Sequence, residues 1–284
     1  MPQERKIAII TDSSCDLSDE QLVAHGVRMI SLRIVCQDGE YRDRVEMSND
    51  ELYERMDSEV PKSSLPLPED VEKLYTALAE EGTTDVIHIC ISSGLSGTYN
   101  MVRMIAADFE NRMNIRVVDS LTLSTGLGMQ VLVAARAIEA GAEPDEAVRL
   151  VREARSSQLG MFVIRTLEYL RKGGRIGLVE GVVGTILQLK PVIFVNDDGI
   201  YQTKTKARGY RNAVEAMVQE TVARFGDAKI SLSVVHGQAL EEAQTLMERL
   251  KRTLNIVDSF ISPVSPVLAI HTGRGLLGIV AHRV

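Results

Sequence analysis

The sequence predicts an α/β protein of two lobes, with a mainly parallel sheet over residues 1–160 and a mixed sheet over residues 161–284. Three observations lead there. Short β-branched apolar runs alternate with segments of helical spacing from the N-terminus, which is the rhythm of a parallel sheet with crossover helices. That rhythm changes at a boundary placed between Ser156 and Thr166; beyond it, Asn196-Asp197-Asp198-Gly199 lies between two strand-like runs as a hairpin signal. A chain of 284 residues is also long enough to bury two cores.

In the first lobe, Lys6 to Thr11 reads as a buried strand and Asp16 to His25 as a helix stopped at Gly26. Val27 to Cys36 reads as one strand, and Asp38-Gly39 turns the chain into Glu40 to Val45. Ser48 and Glu51 have capping-box spacing and open a helix. Lys62 to Pro68, with two prolines and two serines, is predicted to be a loop before a helix from Glu69 to Glu81. Asp85 to Ser92 follows as a strand, Ser96 to Phe109 as a helix and Ile115 to Asp119 as a strand. Two helices, Gly126 to Ala140 and Pro144 to Gln158, end the lobe.

The second lobe begins with a strand at Leu159 to Ile164 and a short helix at Thr166 to Lys172. The hairpin pairs Val192 to Val195 with Ile200 to Lys204, and a helix from Arg211 to Phe225 follows. Ile230 to His236 is a strand; Leu240, Ala243, Leu246, Met247, Leu250 and Leu254 recur at helical spacing; Ile256 to Ser262 and Gly278 to Val284 are the last strands.

Composition narrows the function. A net charge of −7 with scattered cations argues against nucleic acid binding. No apolar run approaches the roughly 20 residues of a membrane span. The apolar run Ile7 to Ile10 is too short for a secretory leader, so a cytoplasmic protein is expected. Cys15, Cys36 and Cys90 are far apart and read as reduced structural thiols, and the five histidines show no metal-ligand spacing, so no metal is expected.

Ligands of open α/β sheets bind beyond the carboxyl ends of the strands, and four polar segments fall at such ends. In Thr11-Asp12-Ser13-Ser14-Cys15-Asp16, Asp12 is either a nucleophile or metal ligand, or a turn cap, with Asp16 capping the next helix. Ser63-Ser64-Leu65-Pro66 offers hydroxyls to a carboxylate, or to its own loop. Ser92 to Tyr99 joins a buried strand to a helix whose N-terminus favours an anion, with Ser96 as the expected N-cap. It carries neither the lysine of a phosphate loop nor the second glycine of a nucleophile elbow, since Thr98 stands there. In His271-Thr272-Gly273-Arg274-Gly275, His271 is a general base, a donor to an acid or a loop pin, and Arg274 a loop cation. A fifth segment, Thr166 to Ile176, places Arg171, Lys172 and Arg175 around Gly173-Gly174, either as helix C-capping charge or as a docking surface for an anionic partner.

Taken in order, these segments resemble the DegV family from residue 6 to the C-terminus, with Ser92 to Tyr99 and Thr166 to Ile176 as the specific stretches. The resemblance implies a fatty acid such as palmitate or oleate buried between the lobes. It also implies similarity to the lipid-carrying subunit of bacterial fatty acid kinase. There a separate ATP-dependent kinase subunit turns the presented carboxylate into an acyl phosphate for phospholipid synthesis. On that footing the protein is a carrier without catalytic residues or cofactor, and contacts membranes at most transiently. Carried over by position, Ser63, Ser93 or Ser96, and His271 hold the carboxylate. Thr11, Asp12, Gly94 and Thr272 support the pocket, and Arg171, Arg175 and Arg208 face the kinase. Two positions depart from the family pattern: Leu65 stands for glutamine, and Arg274 stands for proline as an extra cation near the mouth. An acyl tail of about 14 methylenes offers about 11 kcal/mol on burial, so the head needs only a few hydrogen bonds. The competing reading is a hydrolase or phosphotransferase using Asp12, or Ser96 with His271.

Overall fold

The computed structural model describes residues 5–177, 179 and 189–284. The first apolar run forms strand β1 (Ile7–Asp12), followed by a single 3-10 turn at Ser13–Cys15 and helix α1 (Asp19–Ala24). Helix α1 begins later than the sequence suggests. Ser18, not Asp16, caps it in a reciprocal capping box with Gln21, while Asp16 takes a left-handed conformation at φ 52°. The predicted strand from Val27 to Cys36 is two strands, β2 (Arg28–Ile30) and β3 (Arg33–Cys36), in different sheets. At the break, the Leu32 N–H leaves the ladder and donates to Ser13 Oγ at 3.0 Å.

Next come β4 (Gly39–Arg42), α2 (Asn49–Met56), β5 (Lys62–Ser64) and α3 (Pro68–Glu80). The segment expected to be a loop therefore contributes a three-residue edge strand, antiparallel to β3 with Ser63 opposite Ile34. Its prolines are no obstacle, because Pro66 lies beyond the strand and Pro68 starts α3, where a missing N–H costs nothing. The lobe continues with β6 (Asp85–Cys90), α4 (Thr98–Ala107), β7 (Asn114–Asp119), α5 (Thr125–Glu139) and α6 (Pro144–Ser157). Its main sheet is parallel, in the order β2-β1-β6-β7, and β6 is buried along its whole length as a central parallel strand must be. Helix α4 begins at Thr98 with Gly97 as N-cap; Ser96, the expected cap, lies one residue earlier and accepts from the Thr98 N–H at 3.3 Å.

The second lobe comprises β8 (Leu159–Val163), α7 (Glu168–Lys172), β9 (Leu189–Val195), β10 (Tyr201–Arg208), α8 (Tyr210–Phe225), β11 (Ile230–His236), α9 (Leu240–Lys251), β12 (Ile256–Pro263), α10 (Pro266–Thr272) and β13 (Leu277–Arg283). Its sheet runs β10-β9-β8-β13-β11-β12, with only β11 and β12 parallel among these pairs. The strand period of two divides its side chains. Met161, Val163, Leu232, Val234 and Ile279 join a core with Ala213 and Met217 of α8 and Ala243 and Leu246 of α9. The opposite face carries Phe162, Ile193, Val195 and Val235 into a core shared with Ile87, Leu127 and Val131 of the first lobe. The molecule is thus an α/β fold of two main sheets and a small three-stranded one, β4-β3-β5, with one apolar core shared between the lobes.

Helix α10 escapes the sequence reading, which places His271 and Thr272 in a turn. They are its last two residues. Pro266 starts the helix and Gly273, at φ 69°, stops it. Every residue between is buried, so no polar face marks a helical period. Two buried acids of the first lobe hold its N-terminus. Asp16 Oδ1 accepts from the Ser265 N–H at 2.8 Å and Asp43 Oδ1 from the Val267 N–H at 2.9 Å. Burial raises the Asp16 carboxyl to about 6 and that of Asp43 to about 7.

Candidate functional site

Two adjacent cavities lie where the lobes face each other. The first, of about 210 Å³, has a polar rim of Ser63, Ser64, Ser96, Arg175 and His271 over an apolar floor that includes Leu32, Ile91 and Val267. The second, of about 50 Å³, is almost wholly apolar, lined among others by Phe162, Val195, Val235, Val264 and Leu276. Leu123, Tyr201 and Leu268 line both, and this shared stretch of wall is called the throat below. We call the two the head and tail cavities.

The five rim residues arrive on four separate segments. Ser63 sits in the edge strand β5, and its Oγ lies 2.8 Å from His271 Nε2 at the end of α10. Burial, and then the nearby Arg175, lower the His271 imidazole to about 4, so it is neutral at pH 7. Its Nδ1 is buried with no hydrogen-bond partner among the described residues. A bare ring nitrogen tolerates that position better than an orphaned N–H, so the proton belongs on Nε2. His271 then donates to Ser63 Oγ, and the Ser63 O–H is free to donate into the cavity. Gly173 allows this arrangement, because a Cβ there would fall 2.1 Å from His271 Nδ1. Arg175 follows the Gly173-Gly174 stop, is half-buried, and donates to the Gly173 carbonyl at 2.6 Å through Nη1. The head cavity thus presents a free hydroxyl, a second hydroxyl at Ser96 and a guanidinium, a set suited to a carboxylate.

The structure brings Ser63, Ser96 and His271 around one cavity but not Ser93, which is exposed with its N–H donating to Asp119 Oδ1 at 3.1 Å. Gly94 is tied to the fold instead: a Cβ there would lie 2.6 Å from Ile200 Cγ2, and neighbouring Ser92 Oγ donates to the Gly199 carbonyl at 2.7 Å. The loop before α4 thereby docks on the hairpin tip of the second lobe. Thr11 and Asp12 are buried and line neither cavity. Asp12 accepts from Ser14 N and Oγ at 3.1 and 2.5 Å and from the Ile91 N–H at 2.7 Å, which makes it a turn cap, with its carboxyl raised by burial. Thr272 lines the tail cavity, its Oγ1 donating to the Leu268 carbonyl at 3.3 Å.

Among the three predicted docking cations, Arg171 and Arg208 are exposed, while Arg175 turns into the head cavity. Arg274 is not a mouth cation. It is paired with Asp57, donates to the Tyr53 carbonyl at 2.7 Å and lies over the Tyr53 ring. Leu65 lines the head cavity and packs over Gly97, where a Cβ would sit 3.5 Å from Leu65 Cδ1. Cys36, Asp38 and Glu59 also converge at the surface, and Arg55 pairs with both acids at 2.7 and 3.4 Å.

Apart from Thr272, the throat and tail residues are absent from the sequence reading because they come from many separated segments, each contributing one to three residues. Arg175 was legible as a cation at a helix end, but its inward direction is set by the Gly-Gly turn, which sequence alone leaves free.

Comparison with known proteins places this geometry. A family model described as "Uncharacterised protein, DegV family" matches residues 6–283. A DegV domain-containing protein of Clostridium acetobutylicum is 38% identical over 276 residues, covering 97% of this chain and 98% of that one. A solved structure concerned with the fatty acid binding of a DegV family protein from Thermus thermophilus is 30% identical. It has a TM-score of 0.92 and covers 98% of this chain and 100% of its own. A fat acid (stearic acid)-binding protein from Eubacterium ventriosum is 27% identical, with a TM-score of 0.89 and 98% of both chains covered. With the match running almost end to end and the fold shared throughout, the chain belongs to the DegV family.

Proposed function

We propose that this protein binds one long-chain fatty acid, with the carboxylate in the head cavity and the acyl chain through the throat into the tail cavity. The observation that carries this reading is a cavity with a polar rim adjoining an almost wholly apolar one, with Leu123, Tyr201 and Leu268 lining both. An amphiphile with one anionic end and a long apolar body matches both parts at once. The acyl chain supplies affinity at about 0.8 kcal/mol per buried methylene, and Ser63, Ser96 and Arg175 fix its direction. The solved relatives described with fatty acids support the same ligand class.

The rim also favours carriage over hydrolysis. Ser63 and His271 form a hydroxyl–imidazole pair, but among the described residues no carboxylate meets Nδ1 to hold the ring as a base, and a histidine lowered to about 4 is a weak one at pH 7. On this reading the protein works in the cytoplasm and presents the carboxylate to a separate ATP-using kinase subunit, which makes the acyl phosphate for phospholipid synthesis. The exposed Arg171 and Arg208 meet that partner.

The direct test is solvent extraction of freshly purified protein with mass spectrometry of the extract. A stoichiometric fatty acid is the expected result; an empty extract, with no uptake of added oleate or palmitate, sinks the proposal. For the kinase role, reversing Arg171 and Arg208 to glutamate is expected to slow kinase-coupled acyl phosphate formation while leaving lipid content unchanged. An unchanged rate removes these arginines from the interface.

A further inference from the structure

The polar segment Thr11 to Asp16 lines neither cavity, yet it ends in a carboxylate bonded to two segments that do. Asp16 Oδ2 accepts from Ser124 Oγ, and Asp16 Oδ1 accepts from the Ser265 N–H at 2.8 Å. Ser124 follows Leu123 in the chain, and Ser265 is the N-cap of α10, which carries Leu268. Leu123 and Leu268 are two of the three residues common to the head and tail cavities. The Asp16 carbonyl adds a further tie, accepting from Ser262 Oγ at 2.5 Å just before α10.

The wall that carries Leu123 has a strained backbone. Among the described residues five other than glycine are left-handed, and three of them are Asp16, Leu121 and Ser124, at φ 52°, 52° and 56°. Leu121 and Ser124 bracket Thr122 and Leu123, and Thr122, Leu123 and Ser124 all line the tail cavity. Such a backbone persists at a residue with a side chain only where the surroundings over-determine it. Asp119 Oδ1 holds the Leu121 N–H at 3.0 Å, and the Ser92 N–H donates to the Thr122 carbonyl at 2.8 Å. The hold on Ser124 is Asp16. Ser124 stands at the N-cap of α5, where a serine hydroxyl usually accepts from the first N–H groups of its helix. It makes no such bond here and donates to Asp16 instead.

We infer that Asp16 is a positioning residue for the lipid: its carboxylate holds the Leu123 wall in its strained form and ties it to α10, so the throat is shaped before an acyl chain arrives. Without that tie the wall relaxes in the free protein, and the ligand binds only the fraction of molecules still in the right shape. The inference rests on the fatty acid reading above, and deepens it by naming a residue outside both cavities on which affinity depends.

The test uses the full chain stripped of lipid, with dodecanoic acid and 1-dodecanol each displacing a fluorescent fatty acid, and thermal melts of the same stripped proteins. Ser124→Ala cuts only the tie to the Leu123 wall, and is expected to weaken both ligands about tenfold, the weight of one strained residue. Asp16→Ala frees both segments and should weaken them at least as much. Asp16→Asn keeps an oxygen for the Ser265 N–H and turns an N–H toward Ser124 Oγ, so it should recover affinity to within about threefold of the wild type. The serine and asparagine variants decide the matter if Asp16→Ala fails to fold. Lower melting temperatures with unchanged affinities would leave Asp16 a support of the fold alone, and a loss confined to the acid would place its action on the carboxylate; either result overturns the inference. A wild type that binds no acid overturns the fatty acid reading itself, and is distinguished by that.

Discussion

The head and tail cavities are built on opposite plans. The head is assembled from chain ends and turns: an edge strand carries Ser63, the residues before α4 carry Ser96, the short α10 ends in His271, and a Gly-Gly turn aims Arg175. The tail is built chiefly on one face of the second-lobe sheet, with Thr122 to Ser124 of the first lobe and Leu268 and Thr272 of α10 completing its wall. The head relies on hydrogen bonds whose net worth is a few kcal/mol, the tail on apolar burial that accumulates with every methylene. The contrast teaches that affinity and orientation are separable here, so damage to one cavity should leave a different signature from damage to the other.

The largest effect should come from closing the throat. Leu268→Trp puts an indole where both cavities meet, so an acyl chain can no longer pass and its methylene contributions are forfeited together. Binding is expected to fall by more than about a hundredfold, at a stability cost of about 1–3 kcal/mol for overpacking. Displacement binding, with a thermal melt of stripped protein as control, checks this. Undiminished binding would mean that the ligand does not use the throat.

A smaller effect is expected at the head. Ser63→Ala removes a hydroxyl donor and leaves His271 Nε2 without its partner, so binding should weaken about ten- to a hundredfold, the worth of a hydrogen bond to a charged group. Ser93→Ala should stay within about twofold, because Ser93 faces solvent and its N–H, unaffected by the change, makes the contact to Asp119. Equal losses in the two variants would deny that the head cavity holds the carboxylate.

The same contrast governs what could be read from sequence. Head residues fall in compact, polar, glycine-rich segments at strand ends, where special backbone shapes demand special residues, so Ser63, Ser96 and His271 stood out with their neighbours. Tail residues are ordinary apolar strand positions. Phe162, Val195 and Val235 satisfy a period of two equally well whether they face a cavity or solid core, and only sheet register brings them together. The alternation of strands and helices was equally legible, because it repeats locally. Its failures lie where a tertiary partner decides: β5 is a strand only because β3 pairs with it, and α10 is a helix without a polar face.

The smallest effect concerns the support under the head. Asp43 anchors the start of α10, the helix that carries Leu268 and His271. Burial raises its carboxyl to about 7, from an ordinary value of about 3.9. Between those values the folded protein keeps a proton that the unfolded chain has released, so folding gains stability as pH falls through this window. Above pH 7 the folded state holds a buried carboxylate and is penalised in full. An asparagine at this position cannot ionise, yet its side-chain oxygen can still accept from the Val267 N–H. Asp43→Asn should therefore be more stable than the wild type by about 1–3 kcal/mol at pH 8, with the gap closing toward pH 4. Denaturant titrations of stripped protein across that range measure it. A gap independent of pH would show that Asp43 does not titrate there, and that the anchor of α10 is a fixed carboxylate rather than one whose charge follows the medium.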